Sequence, residues 1–157
     1  MKRLWILLTA LLLLTACTPA PVTREPLSLD YGGVSVTVGA SVDELLTLWG
    51  EDYTRQESAS CAGVGVDYLY TFPSMRLYSF APEGGEETVT AITYTDDSTD
   101  GADTRGARIG ATAETVIAAF GKPDEQSETR LIFLDEVTAL TVTLRDGRVT
   151  GMTLTEK

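Results

Sequence analysis

The chain has 157 residues, 12 Lys+Arg against 23 Asp+Glu, a formal charge of −11 and no histidine. Such a length fits one ordinary domain or two small units sharing a core, and 43% hydrophobic residues suffice to build it. The missing His removes the commonest metal ligand and general base, Ser-His-Asp and Cys-His catalysis included. The acidic balance excludes nucleic acid as an expected partner, because phosphates need a basic face.

The chain opens with Met1-Lys2-Arg3, an apolar run from Leu4 to Leu14, and then Thr15-Ala16-Cys17. A basic start, a short apolar stretch and small residues before a cut site read as a secretory signal over residues 1–16. The run falls short of the ~20 apolar residues that a spanning helix needs. Leu14-Thr15-Ala16-Cys17 resembles the lipobox of bacterial lipoproteins. That resemblance implies a diacylglyceryl group on Cys17 and cleavage before it. It also implies an exported protein held by its lipid on the outer face of a cell membrane, or on an outer membrane where one exists. The mature chain would keep 141 residues and a charge of −13. Residues 17–30 read as the lipidated cysteine and a flexible tether, since Thr18 to Pro26 is proline-rich and poor in large apolar residues. With Cys17 acylated, Cys61 has no intrachain partner; unmodified, the two could pair. Cys61 itself reads as a small, partly buried thiol, with a reactive thiol as the alternative.

The stretch beyond the tether repeats itself. Gly39-Ala40-Ser41-Val42-Asp43-Glu44-Leu45-Leu46-Thr47-Leu48-Trp49-Gly50 aligns with Gly110-Ala111-Thr112-Ala113-Glu114-Thr115-Val116-Ile117-Ala118-Ala119-Phe120-Gly121 at a constant offset of 71. A second match sets Val89-Thr90-Ala91-Ile92-Thr93-Tyr94 against Val149-Thr150-Gly151-Met152-Thr153-Leu154. Val42, Leu45, Leu46 and Trp49 fall at helical spacing, as do Ala113, Val116, Ile117 and Phe120. Ser41 and Thr112 stand at N-cap positions, Ser41 forming a capping box with Glu44, while Gly50 and Gly121 close the helices. Two helices of about two turns are too short to stand without packing. After each come three β-rich runs, at residues 66–72, 75–80 and 88–95, then 129–134, 138–144 and 148–155, with lead-ins at 34–38 and 107–109. The resulting expectation is an α+β tandem duplication, each unit a short helix plus a three- or four-stranded antiparallel meander. Unit 1 would span 31–97 and unit 2 107–157, with a linker at 98–106.

This pattern resembles the β-lactamase-inhibitor-protein-like domains, and also the single-unit outer-membrane assembly lipoproteins of the SmpA/OmlA type. In the inhibitor family two units lie side by side and their sheets form a concave binding face. Cys61-Ala62-Gly63-Val64-Gly65-Val66-Asp67-Tyr68-Leu69-Tyr70 is similar to the inhibitor stretch in which a cysteine precedes an Asp-Tyr contact loop. By that match Asp67 and Tyr68 would face an exported enzyme. The second cysteine of the inhibitor unit is missing, however, and a lipid anchor does not suit a freely secreted inhibitor.

Alternation places Tyr68, Tyr70 and Phe72 on one strand face, and Tyr78 and Phe80 on one face of the next strand. Leu69, Met75 and Leu77 make the opposite faces apolar as well. Tyr68, Tyr70 and Tyr78 are accordingly candidate contact residues, since tyrosine is enriched at interfaces, with ordinary core packing as the alternative. Asp96, Ser98, Asp100 and Gly101 match positions of an EF-hand loop, but position twelve is Ala107 instead of Glu, so a polar linker is the better reading. The chain offers no nucleophile spaced with a base and no phosphate loop. The expected protein is therefore a non-catalytic module without a cofactor or metal. It would be anchored through Cys17 and bind a protein or other component of the cell envelope. An enzyme inhibitor is the alternative, and a small envelope hydrolase a more distant one.

Overall fold

A computed structural model describes residues 25–61, 63–94 and 104–157. Residues 1–16, expected as a leader, Cys17 and the acidic stretch 96–103 lie outside the described residues. The chain begins with a small antiparallel pair, β1 (Leu29–Tyr31) and β2 (Val34–Val36). Helix α1 (Val42–Trp49) follows, then β3 (Thr54–Ala59), β4 (Gly65–Thr71), β5 (Met75–Pro82) and β6 (Thr88–Tyr94). Helix α2 (Ala113–Phe120) precedes β7 (Glu125–Gln126), β8 (Arg130–Leu134), β9 (Thr138–Arg145) and β10 (Arg148–Glu156).

The last eight strands form one antiparallel sheet in the order β3-β4-β5-β6-β10-β9-β8-β7. This corrects the expected fold class. The described chain is mostly β, with two eight-residue helices as its only α-helices, rather than an α+β tandem of helix-plus-meander units. The physical reason is the join at β6 and β10. Tyr94 pairs with Met152 and Ile92 with Leu154, so the two runs of strands share a ladder and a single buried face.

That face carries the core. Tyr70, Leu77, Ile92, Tyr94, Met152, Leu154, Leu140, Val142, Leu131 and Phe133 are all buried on it. The helices and the β1–β2 pair cover it with Val42, Leu45, Val116, Leu29 and Val36. Burying each such aliphatic chain stabilises the fold by roughly 1.5–3 kcal/mol. Trp49 meets Tyr31 and Phe72 at ring-centroid distances of 5.2 and 5.3 Å, and Phe120 meets Phe133 at 5.5 Å.

Both helices are entered alike. The Gly39 and Gly110 amides donate to the carbonyls of Val89 and Val149, and those residues donate back to Ala40 and Ala111. The caps differ from expectation: Ser41 makes no side-chain cap, whereas the Thr112 hydroxyl accepts from the Thr115 amide. The start of the chain also differs. Leu27 and Leu29 are core residues, so the tether cannot extend to residue 30. Thr104, placed in the linker, is buried too, and its hydroxyl accepts from the Asp30 amide.

Candidate functional site

Which side of each strand is covered follows from the register. Tyr70 pairs with Leu77 and Tyr68 with Ser79, which puts all four on the helix side. Leu69 pairs with Tyr78 and Asp67 with Phe80, which puts these four on the opposite face. Neighbouring strands extend that face with Gln56 and Ser58 of β3, Ala91 and Thr93 of β6, Thr153 and Thr155 of β10, Thr141 of β9, and Ile132 and Leu134 of β8. None of these residues is buried. The face is open across the sheet: threonine in its middle, where the Thr93 and Thr153 hydroxyls lie 3.2 Å apart, and apolar toward the two ends. Tyr78 is its most prominent aromatic, 36% exposed, with Leu69 opposite it on β4 and Phe80 two residues along β5.

The four candidate contact residues therefore separate. Asp67 and Tyr78 lie on the open face. Tyr68 lies on the helix side at the sheet margin, with the Arg55 guanidinium 5.0 Å from its ring centre. Tyr70 is 1% exposed, which corrects its assignment as a contact residue. Its ring packs on Tyr53 at 5.3 Å, and its hydroxyl donates to Glu87 Oε2 at 3.2 Å. Burial, reinforced by the neighbouring Glu87 carboxylate, raises the Tyr70 pKa to about 12. Ser79 donates to the other oxygen of the same carboxylate. This cluster is internal structure: two hydroxyls hold one carboxylate over the helix-side surface of β4 and β5.

Asp67 and Tyr68 cannot act as a pair on one surface, because consecutive strand residues point to opposite faces. They also lie within β4, not in a loop. Cys61, expected to be partly buried, is exposed and makes no disulfide. Alternation placed Phe80 beside Tyr78, but only the strand register brings Leu69, Ile132 and Leu134 onto the same face and shows that face to be the uncovered one.

Elsewhere the surface is hollowed on the helix side. A space of about 560 Å³ at the start of α2 is lined by Arg108, Arg148, Ile109 and Thr115, and it brings no nucleophile and base together. Among the described residues no group of three His, Cys, Asp or Glu is placed to hold a metal. No described helix is long and apolar enough to cross a membrane.

Fold and site together define a mostly β protein with one helix-covered and one open sheet face. No protein-family model matches the chain, and no curated protein matches its sequence. Among solved structures it is similar in fold to a cysteine-rich secretory protein from Staphylococcus aureus, with a TM-score of 0.50 and 9% sequence identity. The match covers 76% of this chain and 44% of that one, so the chain spans less than half the length of this neighbour.

Proposed function

We propose that this is an exported lipoprotein, anchored through lipid on Cys17, whose open sheet face binds a protein partner of the cell envelope without catalysis. The observation that carries the reading is the uncovered apolar group of Tyr78, Leu69 and Phe80, edged by Asp67. A tyrosine offers a large apolar ring at low entropic cost and a hydroxyl to fix orientation, which suits a contact surface. Asp67 and the threonines around it supply the polar rim such a surface needs. The lipobox resemblance at Leu14 to Cys17 supports the anchor, and the charge of −13 keeps the domain off anionic lipid.

The test is site-specific crosslinking in intact cells. A photoreactive residue at position 78 is expected to capture one defined protein, and Asp67→Lys to reduce that capture. The same probe at Leu48, exposed on α1 on the far side of the sheet, serves as control. Equal, unspecific labelling from both positions would remove the open face as the binding surface.

A further inference from the structure

The sheet ends on one side in β3, and among the described residues no strand pairs with its outer edge. All six residues, Thr54-Arg55-Gln56-Glu57-Ser58-Ala59, are exposed. The other margin, β7, is only two residues long. The direction of the free backbone groups on β3 follows from the ladder. The Ser60 amide donates to the Gly65 carbonyl, so the even residues of β3 bond to β4. On β4 the alternate residues bond to β5, as the Phe72 amide donating to the Met75 carbonyl requires. Arg55, Glu57 and Ala59 therefore turn their N–H and C=O groups outward.

A long edge with free donors and acceptors is a template for another strand, and proteins usually block it with charge. Here the two charges have opposite sign, sit two residues apart on the same face, and lie 3.5 Å from one another. A two-fold axis through Gln56 sets Arg55 of one copy opposite Glu57 of the other, twice, and matches outward-facing residues with outward-facing residues. Shifting the axis to Glu57 opposes two carboxylates, and shifting it to Arg55 opposes two guanidinium groups. Axes between residues set outward groups against inward ones and form no ladder. One register alone satisfies both the backbone and the charges.

From this we propose that β3 is a self-pairing edge, by which two copies of the chain join antiparallel about Gln56 into one continuous sheet. Such an interface is isologous, and each copy supplies one partner of each of the two ion pairs. The open faces of both copies then lie side by side on the same surface.

The experiment uses the full-length chain in a Cys61→Ser background. Gln56 would face its own copy as a non-hydrogen-bonded pair, whose Cα atoms lie ~4.5 Å apart, within disulfide range. Gln56→Cys is expected to form covalent dimers under mild oxidation about tenfold faster than Thr54→Cys or Ser58→Cys, which do not face themselves. Separately, Arg55→Glu is expected to weaken association by about tenfold in sedimentation, and Arg55→Glu with Glu57→Arg to restore it. A chain that stays monomeric at high concentration, or crosslinks equally from positions 54, 56 and 58, would overturn the proposal. So would failure of the double reversal to rescue the single one.

Discussion

At the scale of single residues, Asp135 shows how one carboxylate organises a corner. Its Oδ2 accepts from the Leu27 amide and the Thr138 hydroxyl, both at 2.7 Å, and its Oδ1 accepts from the Val137 and Thr138 amides at 2.9 and 2.7 Å. Desolvation pushes its pKa up, but these four donors outweigh it and hold the group at about 2, below the ordinary 3.8. A carboxylate with a lowered pKa stabilises the fold fully above its unfolded value and loses that contribution as pH falls toward the folded value. Unfolding midpoints in urea should thus drop between about pH 4 and pH 2 in the wild type. Asp135→Asn should lose about 1 kcal/mol at pH 5, a figure reduced for the solvent around this group, and should flatten the acid limb. An unchanged acid limb in the variant would place the sensitivity elsewhere. Tyr70 and Tyr78 teach a different lesson at this scale. Alternation assigns each to a face, but apolar residues occupy both faces of β4 and β5, so only tertiary packing decides which tyrosine is buried.

Elements differ in how plainly they are written in the sequence. The helices are legible because an apolar stripe at helical spacing, an oxygen-bearing residue before it and a glycine after it all agree. The aromatic residue near each helix end then packs it down, Trp49 on Tyr31 and on Phe72 just past β4, and Phe120 on Phe133 of β8. Strand β3 is not legible: Thr-Arg-Gln-Glu-Ser-Ala has no alternation, because an edge strand with both faces exposed has nothing apolar to alternate. Strand β1 is hidden for another reason. Of its two buried residues, Leu29 follows closely on a proline-rich stretch and composition assigned it to the tether, while Tyr31 stood at the start of the first unit with no strand pattern around it. The helix stops also carry more than a left-handed residue. Gly50 and Gly121 have φ of 78° and 83° with ψ of −159° and −162°, a region open essentially to glycine alone. An added Cβ at Gly121 meets nothing within 4 Å, so its cost is purely that of the backbone. Gly121→Ala is therefore expected to destabilise by about 1–3 kcal/mol, read as a lowered thermal midpoint without a change in far-UV spectrum at low temperature. A neutral Gly121→Ala would mean that the helix ends otherwise than described.

For the whole molecule, the question is how the domain is held. Leu27 is buried and its amide is fixed by Asp135, so the folded domain begins there and residues 18–26 are all that separate it from Cys17. Nine residues reach at most about 30 Å, which sets the greatest distance of the domain from the proposed lipid anchor. The proposed leader and lipidated cysteine precede Leu27, the first core residue, so on that proposal anchoring and folding are separable. Cys17→Ser in the full-length chain is accordingly expected to leave the unfolding midpoint of the domain unchanged. It should either release the protein from the membrane fraction or retain an uncleaved precursor with residues 1–16 attached. Cell fractionation with an antibody to the domain distinguishes these forms by size. Equal membrane retention and normal processing in the variant would mean that something other than a lipid on Cys17 holds the protein.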